Sequence, residues 1–431
     1  MKTRLGCFAA VLALSLVLPV QAADWPQWRG PDRNDISKET GLLKTWPKQG
    51  PKLLWTYRDA GVGYTSPAIV GDTLYAMGAF DKNENLYALD VKKGERLWST
   101  PIGSRLDNGW GDGPRSTPTV DGDLIFALGG TGDLACVERK SGNLVWKKSL
   151  RNDFGGKLMS GWGYSESPLV DGDQVVCCPG GDQGTVIALN KKTGETIWRS
   201  KDFKDAASYS SLVPATMGGV SQYVIMTDRH VAGIAAKDGK VLWSQNRQSN
   251  VAAIPTPIVK DNFVFVSSAY KAGCALYKIA LDGGELMATE VYSDKGLKTM
   301  HNHHGGVVLI NNYLYGYSGT NDPKPRQWIC QDFKTGKLMW AEESNFEKGS
   351  LTYADGHLYL YGQDTGGVVL LKANPQGWKE DGRFTIPEET KVKRKQGHIW
   401  THPVVANGCL YLRDQDLIFC YDIKGSASVN R

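Results

Sequence analysis

The chain has 431 residues, of which 41% are hydrophobic and 22% are charged. This balance is typical of a folded globular protein and excludes an intrinsically disordered chain. The formal net charge is +5, charges of both signs are scattered, and the main basic run, 391–395, is short, so the sequence does not indicate nucleic-acid binding.

Residues 1–22 have the pattern of a secretory signal peptide. Two basic residues near the start precede an apolar stretch from Phe8 to Val20, and Val20-Gln21-Ala22 offers small residues for cleavage. A membrane helix, the competing interpretation, needs a longer apolar run, and no similar run occurs later in the chain. We therefore predict a secreted or periplasmic protein with no transmembrane segment.

Residues 23–50 form an N-terminal extension that precedes the repeats. This segment includes Trp25, Trp28 and Pro31, and it is too rich in Pro and Gly for a helix. We expect the extension to pack across the surface of the domain that follows it.

A motif that ends on Trp recurs through the chain and determines its architecture. In the clearest copy, Ala88 to Trp98, a short apolar strand is followed by a polar turn with Gly and by a second strand that closes on Trp. Later copies end at Trp146, Trp198, Trp243 and Trp340. Successive Trp residues from 55 to 243 are 43 to 52 residues apart. This spacing matches the four-stranded blade of a β-propeller.

Two degenerate units, at 279–287 and 351–384, bring the count of blades to eight. The last unit, 402–422, lacks its closing strand, whereas a spare copy of that strand, 51–55, precedes the first unit. We therefore predict an all-β fold: an eight-bladed β-propeller of four-stranded antiparallel blades over residues 51–431, in which the N-terminal strand closes the last blade. An open solenoid is the alternative, but closure removes the free sheet edges.

The pattern Ala-x-Asp-x-x-Thr-Gly-x-x-x-Trp resembles the repeat of the PQQ-like (pyrroloquinoline quinone) β-propellers, and the copy from Ala188 to Trp198 matches it best. The resemblance covers roughly residues 51–422, and the leading WPQWRGP segment is similar to that of secreted bacterial members. It implies that the Trp side chains dock one blade on the next. The family includes quinoprotein alcohol dehydrogenases and non-enzymatic scaffolds, so the motif predicts the fold and leaves the function open.

The loops that join the outermost strand of one blade to the innermost strand of the next lie beside the central channel. They hold three of the 14 Trp and five of the seven His, and two of them contain Gly-Trp-Gly. We predict an aromatic and polar pocket here; the alternative is that the loops pack on each other and plug the channel. The candidate ligand-binding residues are Tyr64, Asn108, Trp110, Asp112, Arg115, Trp162, Tyr164, Glu166, His301, His303, His304, His398, Trp400 and His402. No catalytic residue can be assigned.

Two cofactors can be weighed at these loops. His301, His303 and His304 are metal-ligand types, but three His within four residues rarely converge without outside carboxylates, so we predict no metal site. The resemblance implies PQQ with calcium as an alternative. Asn108, Asp112, Arg115 and Glu166 are candidate anchors for a polar ligand or for a calcium–quinone pair. The calcium ligands and catalytic Asp of the dehydrogenases cannot be matched in this chain, and no Cys-x-x-Cys-His haem motif is present.

Removal of residues 1–22 leaves seven cysteines, and an odd number argues against a full disulfide framework. In the dehydrogenases an adjacent-cysteine disulfide lies against the quinone, so Cys177-Cys178 is either such a pair or two buried thiols on opposite faces of a strand. Cys409 and Cys420 are equidistant from a predicted turn at 414–415 and would face each other across a hairpin. The sequence does not determine whether either pair forms a disulfide.

We expect a binding or scaffold module that acts through its central-channel loops. The alternative is a calcium- and PQQ-dependent dehydrogenase that oxidises an alcohol or sugar. The expected partner is a small molecule or a protein at the channel face, and we expect a monomer.

Overall fold

The structure, a computed structural model, describes residues 23–294, 299–319, 326–342 and 346–425. The predicted signal peptide, 1–22, lies outside these ranges, as does the last part of the predicted propeller, 426–431. Every regular element within the ranges is a β-strand. No helix that could cross a membrane occurs in them.

The strands up to residue 246 are β1 (Ile36–Ser37), β2 (Lys52–Tyr57), β3 (Ala68–Val70), β4 (Thr73–Phe80), β5 (Asn83–Asp90), β6 (Arg96–Ser104), β7 (Thr119–Asp121), β8 (Leu124–Leu128), β9 (Asp133–Glu138), β10 (Leu144–Ser149), β11 (Leu169–Asp171), β12 (Gln174–Cys177), β13 (Ile187–Asn190), β14 (Thr196–Arg199), β15 (Val213–Met217), β16 (Val220–Met226), β17 (His230–Ala235) and β18 (Val241–Asn246). The later strands are β19 (Ile258–Lys260), β20 (Phe263–Ser268), β21 (Gly273–Asp282), β22 (Glu285–Asp294), β23 (Val307–Ile310), β24 (Tyr313–Ser318), β25 (Gln327–Asp332), β26 (Leu338–Glu342), β27 (Gly349–Ala354), β28 (His357–Gly362), β29 (Gly367–Lys372), β30 (Glu380–Thr385), β31 (Val404–Ala406), β32 (Cys409–Asp414) and β33 (Leu417–Asp422).

These strands form eight antiparallel blades, as the repeat predicts. Seven blades use four consecutive strands each, from β3 to β30. The eighth combines β31, β32 and β33 with β2, so the strand that precedes the first blade closes the last one. Trp55 of β2 lies opposite Cys420 of β33. The predicted ring closure is therefore confirmed.

At four blade contacts the repeated Trp joins one blade to the next. Trp146 lies opposite the small side chain of Cys136 within its own blade, and its indole Nε1 donates a hydrogen bond to the carbonyl of Lys191 in the following blade over 3.0 Å. Its ring packs on Gly194, where an added Cβ would lie 2.9 Å from the ring. The same contact of Trp on turn glycine recurs at Trp55–Gly94, Trp98–Gly142 and Trp198–Gly239. Each Trp thus needs a small residue beside it and a glycine beyond it.

The apolar core lies between neighbouring blades. One cluster combines Met77 and Leu86 of the first blade with Ile125 and Val137 of the second, all fully buried. Because both faces of each blade are covered in this way, the strands carry near-continuous apolar runs. This packing fixes the ends of the strands, and therefore the loops that surround the channel.

The N-terminal extension runs inside the channel as a hairpin, whereas the sequence placed it across the propeller surface. Trp25 pairs with Ile69 on the innermost strand of the first blade, and β1 adds to β27 as a parallel fifth strand. Both contacts satisfy inner sheet edges that would otherwise lack partners. The hairpin tip, Gln27–Asp35, turns through four residues with positive φ, including Gly30, where a Cβ would meet the Trp25 ring. The extension enters and leaves at the face opposite the loops described above, since Asp24 accepts a hydrogen bond from Gly71 at the far end of β3.

All seven cysteines of the described residues are buried free thiols. Cys177 and Cys178 are therefore not bridged in the structure. The β32–β33 turn places Cys409 opposite Asp422 and Cys420 opposite Tyr411, so the two thiols are diagonal neighbours. The prediction that they face each other directly is wrong, because the turn centres on Gln415–Asp416 and shifts the register.

Candidate ligand-binding site

A cavity of about 170 Å³ lies at the end of the channel where the inter-blade loops meet. Each of the eight loops that precede an innermost strand contributes at least one lining residue. The lining residues are Trp28, Arg29, Tyr64, Trp110, Arg115, Trp162, Ser165, Tyr209, Ser211, Ile254, Pro255, Thr256, Tyr270, His303, His304, Gly306, Lys348, Gln363, His398, Trp400 and His402. The loops converge here because every innermost strand begins at this face of the ring.

The predicted site residues fall into two groups. Those that line the cavity are Tyr64, Trp110, Arg115, Trp162, His303, His304, His398, Trp400 and His402. Those that do not are Asn108, Asp112, Tyr164, Glu166 and His301. Position in an inter-blade loop therefore predicts proximity to the channel, but the direction of each side chain depends on local contacts that the sequence does not reveal.

Asn108 and Asp112 shape the second loop. The Asn108 amide donates to the carbonyl of Gly161, and its oxygen accepts from the backbone N–H of Trp110. The Asp112 carboxylate pairs with Arg105 at 2.8 Å and with Lys395 at 2.6 Å, which ties this loop to the last inter-blade loop. Both side chains hold Trp110 in place from behind the cavity wall.

The other three are buried behind the wall. The hydroxyl of Tyr164 donates to the carbonyl of Pro179. Glu166 accepts a hydrogen bond from the backbone N–H of Cys178, and burial raises its pKa to about 7. His301 is 1% exposed, and its backbone N–H donates to Ser318. Among the residues that the structure describes, no group of three His, Cys, Asp or Glu is placed to hold a metal ion.

Aromatic rings form an arc around the cavity. One part runs from Tyr209 through Trp162 to Trp110, with centroid separations of 5.7 and 6.2 Å. Another runs from Tyr64 through Trp400 to His304, with separations of 5.2 and 5.1 Å. Rings at these distances have favourable offset or edge contacts and offer flat apolar surface to a ligand.

The cavity wall is rich in cations. The Arg115 guanidinium donates to the carbonyls of Gly111 and Gly113 and lies 5.5 Å from the centre of the Tyr64 ring. Lys348 is 8% exposed and also lines the cavity. It lies in the loop between β26 and β27. None of the described Asp or Glu side chains is among the lining residues. The electrostatic environment therefore favours an anion.

Lys348 donates a hydrogen bond through Nζ to Nδ1 of His303 over 2.8 Å. Burial lowers the pKa of Lys348 to about 7, although the Asp364 carboxylate acts in the opposite direction. Burial also lowers the pKa of His303 and of His304 well below 6.5, with the Lys348 charge adding to the effect. Both imidazoles are thus neutral at neutral pH, which leaves Nδ1 of His303 able to accept from the amine.

The tip of the N-terminal hairpin forms the floor of the cavity. Trp28 donates through Nε1 to the Thr256 hydroxyl over 3.0 Å, and its ring centre lies 4.6 Å from that of His402. Arg29 is 2% exposed, donates to the Val307 carbonyl at 2.7 Å and pairs with Asp35 at 3.2 Å. The charge of Arg29 is therefore largely balanced within the hairpin, whereas those of Arg115 and Lys348 are not paired with carboxylates among the described residues.

Four buried polar atoms of lining residues make no hydrogen bond among the described residues. They are Nε1 of Trp400, Oε1 of Gln363, and Nε of Arg29 and Nδ1 of His402, of which the last two lie near the Asp35 carboxylate. Buried polar groups are rarely left unpaired, and such exceptions need an explanation. These atoms are themselves buried while the cavity is open, so a ligand in the cavity does not reach them directly.

Twelve of the 21 lining residues were not among the predicted site residues, including Lys348, Gln363 and the hairpin-tip residues Trp28 and Arg29. Lys348 lies just before a degenerate repeat that lacks the Ser-Pro signal. Ser350, two residues on, nevertheless donates to the carbonyl of Thr401, as Ser66 does to His402 in the first blade. Ser350 alone, without the Pro that usually follows it, would therefore have been enough to identify this segment as an inter-blade loop.

The donor set of the cavity does not fit the calcium of the predicted alternative. Calcium prefers six to eight oxygen ligands, usually including carboxylates. The lining offers cations, imidazoles and aromatic rings instead. Of the four predicted anchors, Arg115 lines the cavity, whereas Asn108 and the two carboxylates, Asp112 and Glu166, do not.

An eight-bladed ring docked by Trp on turn glycines defines the PQQ-like β-propellers, so the resemblance noted in the sequence is confirmed. A family profile described as outer membrane protein assembly factor BamB matches residues 82–342, more than half of the chain. The chain belongs to this family.

Curated relatives carry different names. The outer membrane protein assembly factor BamB of Shewanella oneidensis is 23% identical over 53% of this chain and 54% of its own length. The tetrathionate hydrolase of Acidithiobacillus ferrooxidans is 24% identical over 86% of this chain and 54% of its own length. The chain thus spans about half the length of each of these two relatives.

Solved structures agree on the fold. BamB from Moraxella catarrhalis matches with a TM-score of 0.56 and 15% identity, covering 86% of this chain and 98% of that chain. A quinohemoprotein alcohol dehydrogenase from Pseudomonas putida HK5 matches with a TM-score of 0.60 and 12% identity, covering 95% and 81%. At such low identity these similarities show the fold alone.

Proposed function

We propose that this protein is a binding module, secreted or periplasmic, that holds a small planar anion in the cavity at its channel face. The anion is recognised by the aromatic arc and by Arg115 and Lys348. The location follows from the predicted signal peptide, and the names of the BamB relatives support a place in the cell envelope.

The composition of the cavity wall carries this proposal. Flat rings such as those of Trp162 and Trp400 favour a planar ligand, since stacking adds to the burial of apolar area. Two cations without carboxylate partners favour a negative group, because a charge-assisted hydrogen bond forms readily in a partly dry site.

A protein-docking scaffold is the second candidate, and family membership favours it. In that case the channel face would receive a partner side chain or loop. The dehydrogenase alternative has weaker support, because the likeness to the quinohemoprotein enzyme is a likeness of fold alone and the described residues that line the cavity include no carboxylate for calcium.

The test is a titration of purified protein with benzoate and with PQQ, each with calcium or with EDTA, followed by tryptophan fluorescence. We expect saturable binding that is the same with calcium and with EDTA. Arg115→Met should weaken it by about 10- to 150-fold, because a hydrogen bond to a charged group contributes about 1.5–3 kcal/mol. Arg58→Met is the matched control, since Arg58 is exposed and pairs with Glu388 away from the lining residues.

Trp162→Ala should also weaken binding, and Trp378→Ala, which removes an aromatic side chain packed on Trp340, should not. Calcium-dependent PQQ binding with alcohol oxidation would establish the dehydrogenase instead. Absence of binding by every aromatic anion up to millimolar concentration would leave the scaffold as the better proposal.

A further inference from the structure

Lys348 is an unusual lysine. It is 8% exposed, lines the cavity, and forms no ion pair with any carboxylate that the structure describes. Lysine side chains are rarely buried without such a partner. A buried, unpaired amine at a cavity wall is the setting in which lysine acts as a nucleophile.

The hydrogen bond to His303 determines how the amine is presented. Nδ1 of the neutral imidazole accepts one N–H of Lys348 at 2.8 Å. His303 is itself held in place, because its ring packs on Tyr270 at 5.1 Å and on His304 at 4.1 Å. A neutral amine that donates to His303 keeps its lone pair directed elsewhere.

The charged groups around Lys348 come from four other elements. Arg326, before β25, and the neutral His303, before β23, do not stabilise its positive charge. Asp364, after β28, attracts it, but Asp364 forms its own ion pair with His398 of the last inter-blade loop at 2.7 Å. Burial outweighs the remaining attraction, and the lysine pKa of about 7 leaves about half of the amine neutral at pH 7.

We propose that Lys348 condenses reversibly with the carbonyl group of a ligand in this cavity and forms a Schiff base. The inference rests on the proposed function, since the cavity must first bind the ligand. The reaction links the ligand covalently to the protein without any redox change.

The step is balanced by the loss of one water molecule. The Nζ lone pair attacks the carbonyl carbon, the new C–N bond forms, and the electrons of the C=O π bond move to oxygen. The proton that the nitrogen loses passes through the imidazole of His303 to that oxygen, giving a carbinolamine. The C–O bond then breaks, the oxygen leaves as water with a second proton from nitrogen, and the C=N bond forms.

The cavity indicates the class of ligand. A volume of about 170 Å³ is close to that of the ~150 Å³ cavity that accommodates one benzene ring in another protein. Trp400 and Trp162 offer surfaces for such a ring, and Arg115 offers a carboxylate its positive charge and the N–H groups that Gly111 and Gly113 leave free. The ligand class is therefore a single-ring aromatic aldehyde that carries an acid group.

The experiment uses 4-carboxybenzaldehyde at pH 7, with sodium cyanoborohydride to reduce any imine, and peptide mass mapping of the product. We expect one adduct per chain, on Lys348, at aldehyde concentrations that leave exposed lysines unmodified. Exposed lysines are protonated at this pH, since their ordinary pKa is about 10.4. Lys348→Met should abolish the adduct, and the control Lys393→Met, at an exposed position, should leave it unchanged.

Terephthalate, which has no aldehyde, separates binding of the ligand from the covalent step. The wild-type protein should bind terephthalate without forming an adduct, and Lys348→Arg should form no adduct with the aldehyde. Adducts spread over exposed lysines, or an adduct that survives Lys348→Met, would overturn the inference. If terephthalate binds but no Lys348 adduct forms, the inference fails and the proposed function stands. If neither terephthalate nor the aldehyde binds, the proposed function fails and the inference fails with it.

Discussion

The Glu166 carboxylate accepts a hydrogen bond from the backbone N–H of Cys178, and no solvent reaches it, since Glu166 is 1% exposed. Its other oxygen, Oε2, has no hydrogen-bond partner among the described residues, although the Arg33 charge lies close enough to attract it. Burial raises the pKa of Glu166 to about 7. This carboxyl group therefore binds a proton more tightly in the folded chain than in the unfolded one.

Stability should fall as pH rises through the window between the two pKa values. An unfolded Glu titrates near 4.3, so the folded state holds an extra proton between about pH 4.3 and 7. The stabilisation by this proton is full below the window, declines across it and is absent above it. Glu166→Gln removes the ionisation. We expect the change in unfolding free energy between pH 5 and pH 8 to shrink by roughly 2–4 kcal/mol, measured by urea denaturation. Glu195→Gln, at an exposed carboxylate, should keep the wild-type pH dependence.

The contact between Trp146 and Gly194 can be tested against a glycine of similar backbone geometry. Gly194→Ala adds strain at φ +71° and a methyl group 2.9 Å from the Trp146 ring, so we expect a loss of about 2–4 kcal/mol. Gly172→Ala, at φ +58° with no atom within 4 Å, should lose only about 1 kcal/mol. Equal losses by thermal or urea denaturation would mean that the blade contact adds nothing beyond backbone strain.

The thiol content distinguishes buried cysteines from disulfides. We expect the protein prepared without residues 1–22 to react slowly with Ellman's reagent in the native state, because all seven described cysteines are buried, and to show seven thiols when denatured without reduction. A Cys177–Cys178 disulfide would leave only five of these seven thiols to react. The double variant Cys409→Ala and Cys420→Ala should lower the denatured count by two if these neighbours are reduced.

The rate of Lys348 modification should depend on pH near neutrality. The neutral amine is the nucleophile, and burial lowers the Lys348 pKa to about 7. The initial rate of reductive labelling by 4-carboxybenzaldehyde should therefore rise through pH 7 and level off near pH 8, whereas labelling of exposed lysines rises toward pH 10. His303→Ala should shift the midpoint, since it removes the imidazole that accepts the N–H. A midpoint near 10 at Lys348 would contradict the account of its surroundings.

The repeat motif predicted most of the fold because its residues make the same contacts in blade after blade. Trp98, Trp146 and Trp198 each pack on the glycine of the next blade, so one pattern in the sequence reports one geometry. The spare strand at Trp55 predicted closure for the same reason. The predicted register of Cys409 and Cys420 was wrong by one position, because the turn centres on residues 415–416 and not on 414–415. The residue composition of this hairpin does not distinguish the two turns, of which the observed one has Gln415 at positive φ.

The candidate site was only partly predictable. Loop position identified Trp162 and Trp400, but it also selected Tyr164 and Glu166, whose side chains turn away from the cavity. The path of Trp28 through the channel depends on pairing with inner strand edges far away in sequence. No local pattern encodes such pairing.

The pairing of Trp55 with Cys420 joins residues that are 365 positions apart, since 420 minus 55 is 365. Blades made of consecutive strands can form from local segments, but the eighth blade cannot form until nearly the whole chain is available. Non-local pairing of this kind slows folding, because a long loop must be closed before its contacts stabilise anything. In a chain exported from its N-terminus, the strand that arrives first would wait for the strand that arrives last. The same closure then opposes unfolding, so the ring is expected to resist fraying at either terminus and to have a long native lifetime.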